Sequence, residues 1–398
     1  MNAAVPSAAV PSRLASPSRP WMDSELQMLR DSARRFFETE CVPQQEKWAA
    51  QKHVDRDIWR RAGQLGLLCA GIPEAYGGGG GTVLHEAVIC EEQSRALVNS
   101  FSINVHSGIV AHYLLAYGSE AQKQRWLPRM ASGEMVAAIA MTEPGAGTDL
   151  QRIKTGAVLE GDHYRINGAK TFITNGFHAD LVCLAVKTDP AAGAKGVSLV
   201  MVETAGLPGF RRGRLLDKIG QRGQDTVELF FDDMRVPVAN LLGRDEGKGF
   251  AQLMQQLPRE RLLLSIGSAA TMQRAVDETL AYVRDRQIFG DSLLKLQNTR
   301  FKLAECQTHA SIARAFVDDC IARLQSGEFD IPTAAMAKWW ITDTTCKVID
   351  ECLQLFGGYG YMTEYPIARM FADARVGRIY GGANEVMKEI VVRAMERE

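Results

Sequence analysis

The chain has 398 residues, 46% of them hydrophobic and 23% charged, with a formal net charge of −1. That length can bury a core large enough for two or three domains, and the balanced charge argues against general affinity for nucleic acid or an anionic membrane. No apolar run reaches the ~20 residues of a membrane span, and eight scattered cysteines with seven dispersed histidines suggest neither a disulfide framework nor a metal site.

Residues 1–22 are rich in Ala, Ser and Pro and carry Arg13 and Arg19 without an acid. A transit peptide and a disordered tail both fit this composition, and three prolines in the first seventeen residues favour the tail. The cysteine usage implies a reducing compartment. The expectation is the cytoplasm, or the mitochondrial matrix if the tail is a transit peptide.

Asp23 predicts an N-cap for a helix with Leu26, Leu29, Ala33 and Phe36 or Phe37 on one face. A second helix is expected over Asp55–Leu68, then a turn at Gly71–Glu74 and a mobile loop at Gly77–Gly81. Further helices are predicted over Leu84–Gln93 and Val105–Tyr117, and Ser119 with Gln122 reads as a capping box. The opening segment, 23–134, is therefore expected to be an α-helical domain.

Over 135–245 the pattern turns to short strands: Thr155–Leu159 and His163–Asn167 around a Gly161-Asp162 turn, then Thr171–Thr174, Leu181–Val186, Val197–Val202 and Val227–Phe231. This predicts an antiparallel β-barrel or sandwich. Helical periodicity returns over 246–398 at Phe250–Arg286, Leu293–Leu324, Thr333–Phe356 and Glu385–Met395, predicting a C-terminal four-helix bundle that self-associates. Trp339 and Trp340 cannot share a helix face, so one is expected in the core and the other on a contact surface.

The junction at Ala138–Leu150 carries Gly145 and Gly147 for close backbone approach, and hydroxyls from Thr142 and Thr148. Leu150 stands where a dinucleotide fingerprint needs its third glycine. An ordinary hairpin turn and a wall for a flat ligand both remain open on these residues alone.

Four motifs then occur in order: Ala140–Asp149, Asn167–Gly176, Arg286–Gly290 with Gln297, and Gln354–Tyr361 continuing to Arg375. Together with the α–β–α order they resemble the acyl-CoA dehydrogenase family over about residues 23 to 396. The wording around Ile379–Glu385 and Asn104–Val110 is closest to the long-chain and isovaleryl-type members.

The resemblance implies FAD. Ile139, Met141, Thr142, Gly147 and Thr148 would meet the flavin on one side, and Phe172, Ile173 and Thr174 on the other. Many relatives carry Trp where Phe172 stands. Arg286, Phe289, Gln297, Gln354, Gly357 and Gly358 would hold the diphosphate and adenine of a neighbouring subunit, implying a homo-oligomer, a dimer of dimers. Taken alone, Arg286 reads as a solvated helix charge in preference to a ligand, and only the family pattern reverses that. Ala383, Asn384 and Glu385 would also face FAD, although Ala383 lacks the hydroxyl of the Thr found in many relatives. Thr148, Lys195, Gly196, Pro258, Arg261, Gly381 and Gly382 would meet the acyl-CoA; Lys195 alone also reads as a solvated lysine.

Most relatives place the catalytic glutamate where this chain has Gly381. The long-chain and isovaleryl-type subset carries it on the first helix of the C-terminal bundle, where Glu260 stands. By itself Glu260, between two arginines, would read as a surface ion-pair residue; the glycine at 381 turns the reading to a base. Burial would raise its pKa toward the working range, the Gly381 amide would steady the thioester oxygen, and Arg261 would orient the base or meet CoA.

The implied reaction is dehydrogenation of an acyl-CoA to trans-2-enoyl-CoA, with an electron-transfer flavoprotein as acceptor. An acyl-CoA oxidase, a flavin monooxygenase or a non-catalytic flavin- or thioester-binding protein are the alternatives.

Overall fold

The computed structural model describes Arg19 and residues 21–397. The expected tail over residues 1–22 lies, apart from Arg19, Trp21 and Met22, outside the described residues.

Helices α1 (Ser24–Phe36), α2 (Gln45–Gln51), α3 (Arg56–Gln64), α4 (Val83–Arg95), α5 (Ala111–Tyr117) and α6 (Glu120–Ala131) come first. Strands β1 (Ala137–Ala140), β2 (Gly156–Glu160), β3 (His163–Thr174), β4 (Leu181–Lys187), β5 (Val197–Glu203), β6 (Phe210–Leu215) and β7 (Thr226–Pro237) follow. The rest is α7 (Gly249–Asp285), a small hairpin of β8 (Gln287–Ile288) and β9 (Asp291–Ser292), then α8 (Gln297–Ser326), α9 (Ile331–Phe356), α10 (Pro366–Ala374) and α11 (Asn384–Met395).

Local chemistry sets several of these boundaries. The Asp23 carboxylate accepts the Leu26 amide at 2.8 Å, capping α1. Ser119 and Gln122 exchange hydrogen bonds at 3.2 and 3.0 Å, the reciprocal box predicted for α6. Asp330 caps α9 by accepting the Thr333 amide at 2.7 Å.

Internal packing gathers the described residues into two compact units. The first holds Asp31–Ile89 and Val98–Glu260; the second holds the described residues up to Arg30, Cys90–Leu97 and the chain from Arg261 onward.

In the first unit the sheet runs β1-β4-β2-β3-β7-β6, with β5 also on β4. Pairing is antiparallel at β2–β3, β3–β7, β6–β7 and β4–β5. The wholly antiparallel expectation needs one correction, because β1 runs parallel to β4, and β2 meets the far end of β4 in parallel as well. Strand β4 is buried on both faces, which is why it reads as a continuous apolar run. Leu181, Cys183 and Ala185 pack on one side with Val110, Tyr113, Trp126 and Leu127 from the helices. Val182, Leu184 and Val186 pack on the other with Tyr164, Ile166, Val227 and Leu229. Each fully buried Val or Leu contributes about 1.5–3 kcal/mol, so this two-sided core fixes β1 and its following turn firmly.

Gly77–Gly81 is a bonded turn and not the mobile loop expected. The amides of Gly78, Gly79, Gly80 and Gly81 donate to carbonyls of Pro73, Cys69, Ile72 and Ala70 at 2.9–3.2 Å. A Cβ at Gly78 would lie 2.2 Å from the Ile72 carbonyl oxygen, so the glycines serve close backbone packing.

In the second unit the long helices appear as expected, with α10 and the β8–β9 hairpin as additions. The tryptophan expectation is corrected: Trp339 and Trp340 are both half-buried, and the Lys388 ammonium covers the Trp339 ring at 4.8 Å. The fully buried neighbour is Lys338.

Candidate active site

In the first unit, β1 delivers the Met141–Leu150 turn. Ile139 and Met141 are half-buried against the helical side of the core, whereas Gly147 and Thr148 are exposed. A buried ion pair pins this turn to β3. Lys170 Nζ donates to Glu143 Oε1 at 2.8 Å and to the Met141 carbonyl at 2.9 Å. Glu143 also accepts the Lys154 and Thr155 amides at 2.6 and 3.0 Å, and the Thr171 amide donates to the Thr142 carbonyl at 2.9 Å. Burial draws the Lys170 pKa down to about 8, while Lys170 and the donated hydrogen bonds hold Glu143 below the usual carboxylate range despite its burial.

The β3–β7 register slips between Lys170 and Ile173, and Phe172 sits at that slip with φ of +60°. Its ring is 67% exposed while Ile173 is buried and Thr174 half-buried. A left-handed aromatic residue costs of order 1 kcal/mol, and such strain concentrates where a side chain must face a ligand. An exposed aromatic ring, two hydroxyls and two half-buried apolar side chains suit a flavin ring. Asn175 fixes the end of the segment, donating to the carbonyls of Ser102 and Ala137 at 3.2 and 3.3 Å.

Glu260 ends the portion of α7 that belongs to this unit. It is buried, and the Tyr113 hydroxyl donates to its Oε1 at 2.8 Å. The surface ion-pair reading therefore fails for Glu260. Its neighbour Arg259 is bonded to Glu86 and His112 instead. Pro258, buried inside the helix, withholds one backbone donor in the turn just before Glu260. Lys195 is exposed beside buried Gly196, where a Cβ would collide with the Asp189 carbonyl oxygen at 1.8 Å.

In the second unit, Gly381 and Gly382 lie at φ of +65° and +98° in the turn before α11. Arg261 Nε donates to the Gly381 carbonyl at 3.2 Å, and Lys338 Nζ donates to the Gly382 carbonyl at 2.6 Å. Arg261 is buried and bonds to this turn. Burial and the Arg261 charge lower the Lys338 pKa to about 8. Asn384 is buried, and its side chain is held within this unit. Its Oδ1 accepts from Lys338 at 2.9 Å and its Nδ2 donates to the Trp339 carbonyl at 3.2 Å. Ala383 supplies no side-chain cap to α11, and Glu385 is exposed in the first turn.

Arg286, Gln297, Gln354, Gly357 and Gly358 are exposed and gather at one end of this unit. Tyr282 stacks on Phe356 at 4.1 Å, joining the ends of α7 and α9, and the Arg286 guanidinium lies 5.6 Å above the Tyr359 ring. A Cβ at Gly357 or Gly358 would meet nothing within 4 Å, so a phosphate could approach the backbone there. Phe289, at the tip of the β8–β9 hairpin, is 93% exposed with φ of +52°.

The residues missed by sequence reasoning are Tyr113, Lys170 and Glu143. Lys170 and Glu143 lie inside quoted motifs, but nothing in their spacing pairs them. Tyr113 sits in a predicted helix like any core tyrosine.

A helical N-terminal domain, a β domain presenting a flavin-compatible wall and a helical C-terminal domain define a three-domain flavoprotein fold. Family signatures described as acyl-CoA dehydrogenase N-terminal, middle and C-terminal domain match residues 23–134, 138–234 and 247–396. The chain belongs to the acyl-CoA dehydrogenase family. It is thus an FAD-dependent oxidoreductase acting on the CH–CH group of donors. It is 44% identical over 372 residues to the mitochondrial long-chain specific acyl-CoA dehydrogenase of Sus scrofa, covering 93% of this chain and 86% of that one. The mitochondrial isovaleryl-CoA dehydrogenase of Pongo abelii is 34% identical, with 95% and 90% covered. A solved acyl-CoA dehydrogenase from Geobacillus kaustophilus superposes with a TM-score of 0.93 at 44% identity, covering 95% of this chain and all of that one.

Proposed function

We propose that the chain converts an acyl-CoA thioester to trans-2-enoyl-CoA with Glu260 as the base. The α-carbon loses its proton to the Glu260 carboxylate, the β-carbon loses a hydride, and the new double bond forms between them. FAD, when bound, supplies the hydride acceptor. The observation that carries this reading is the buried, hydroxyl-bonded Glu260 in a chain with glycine at 381. The Gly381 amide is the proposed donor to the thioester oxygen, where charge builds as the proton leaves. The Gly381 carbonyl, in the next peptide along, is held by Arg261, which anchors the residue on the far side of that amide.

Phe172, Thr142 and Thr148 are proposed to bind the flavin ring, and Lys195 the CoA phosphates. The exposed Arg286, Phe289, Gln354, Gly357 and Gly358 support an FAD site completed by a second copy of the chain, in a dimer or a dimer of dimers. Family membership supports an electron-transfer flavoprotein as acceptor. Among the described residues no helix is long and apolar enough to cross a membrane; the proposed compartment is the cytoplasm, or the mitochondrial matrix if the N-terminal segment is a transit peptide.

Anaerobic mixing of the yellow holoenzyme with palmitoyl-CoA or isovaleryl-CoA tests the base. Glu260→Gln should retain FAD but lower flavin bleaching by several orders of magnitude. Near wild-type bleaching by that variant would remove Glu260 from the role. Rapid reoxidation of the bleached enzyme by air would favour an acyl-CoA oxidase.

A further inference from the structure

We propose that Tyr113 is the positioning residue of the base: its buried hydroxyl fixes the Glu260 carboxylate in one orientation and stabilises its ionised form. This rests on Glu260 being the base. A glutamate carried on a helix has three rotatable bonds, and a buried carboxylate needs hydrogen bonds to stay charged. Tyr113 provides one of them from α5 at 2.8 Å, with both partners buried.

The supporting architecture is rigid. A π-helical segment at Asn104–Val110 leads into α5. Within it the buried His106 accepts the Ala137 amide on Nδ1 at 3.0 Å and lies 3.0 Å from the Met130 carbonyl through Nε2. Those two contacts require the neutral ring with its proton on Nε2, and burial lowers the His106 pKa to about 4. Helix α5 is thereby tied to β1 and α6. Its Tyr113 ring packs against Tyr117 at 6.2 Å.

Two titratable groups of the first unit that feel the Glu260 charge are Tyr113 and Cys183. Burial and the Glu260 charge push Tyr113 well above its ordinary range, and the same two causes raise the Cys183 thiol on β4. Burial also raises Tyr117. Arg259, beside Glu260 on α7, is bonded to Glu86 and His112, and Arg261 to the Gly381 carbonyl. Tyr113 therefore remains a hydrogen-bond donor across the working pH range.

The sign follows from linkage. A donor to the carboxylate favours its charged form and lowers the base's pKa; removing that donor raises it. In Tyr113→Phe the ascending limb of kcat/KM against pH should move up by about one pH unit, the equivalent of one charge-assisted hydrogen bond. Below the limb the rate of flavin reduction should fall about tenfold, and above it should largely recover. The dissociation constant for palmitoyl-CoA, measured with the reaction blocked in Glu260→Gln, should be the same with and without Tyr113→Phe. Fluorotyrosine at 113, a stronger donor of nearly the same shape, should move the limb to lower pH.

A limb that stays in place in Tyr113→Phe, or opposite variants that move it the same way, would overturn the assignment. The two levels separate cleanly. Should Glu260→Gln still bleach the flavin, the base assignment falls and takes this inference with it. With Glu260→Gln inert and the Tyr113→Phe limb unmoved, only the positioning role falls. If Tyr113→Phe does not fold, the fluorotyrosine shift alone decides.

Discussion

Replacing Lys170 by Met probes the lock between the two segments proposed to face the flavin. The substitution keeps the length of the side chain but deletes a buried ammonium that bonds Glu143 and the Met141 carbonyl. Breaking a buried ion pair from one side costs about 3–5 kcal/mol. Glu143 would keep its Lys154 and Thr155 amide donors, so the lower end, about 3 kcal/mol, applies here. For a unit of roughly 200 residues each kcal/mol lowers Tm by about 2–4 °C, giving a fall of about 6–12 °C. The turn must also be re-ordered when the cofactor binds. If a third to a half of the lost energy reappears there, FAD affinity falls about five- to twelvefold. Thermal unfolding of the apoprotein and titration of free FAD by flavin fluorescence measure the two effects separately. A variant that loses stability yet binds FAD as before would show that the pair fills the core without shaping the wall. Unchanged Tm would refute the energetic argument itself. Lys170 also titrates at about 8 in the fold against 10.5 when unfolded. The unfolded chain binds more protons in that interval, so this group adds stability as pH rises from 8 to 10.5, and Lys170→Met should flatten that rise.

Phe172→Gly should leave the apoprotein as stable or slightly more so, because φ of +60° is unstrained for glycine, while FAD affinity drops with loss of the ring; differential scanning and FAD titration check both. Asp225 is buried and titrates at about 7, raised by burial despite backbone amides that donate to it, including that of His178. The folded chain then binds more protons than the unfolded one between about pH 4 and 7, so stability should decline across that window. Asp225→Asn should remove this decline, and parallel Tm–pH curves for the two proteins would contradict the account.

Elements whose signal is local were legible in the sequence. Capping at Asp23 and at Ser119 with Gln122, the Gly161-Asp162 hairpin and the long C-terminal helices depend on neighbours within a turn or two. The four motifs identified the family, and the glycine at 381 is what raised the proposal for Glu260. What escaped is non-local. The parallel pairing of β1 with β4 joins strands about forty residues apart, and no periodicity encodes which neighbour a buried strand takes. Lys170 with Glu143, and Tyr113 with Glu260, are side-chain partners brought together only by packing. The bond from the buried Lys338 to the Asn384 side chain likewise had no sequence signature.

The glycine turn before α11 has a bearing on how such enzymes diverge. A Cβ at Gly381 would lie 2.5 Å from Leu264 Cδ1, at a backbone angle that disfavours any side chain. Its carbonyl and that of Gly382 are clamped by Arg261 and Lys338. A glutamate can therefore not be placed at position 381 by one mutation without disturbing its surroundings. Leu264 would have to shrink, and the turn would have to rotate against its two clamps. Each step alone weakens folding, so glycine at this position is expected to persist among descendants of such a chain, with few sequences carrying a side chain there.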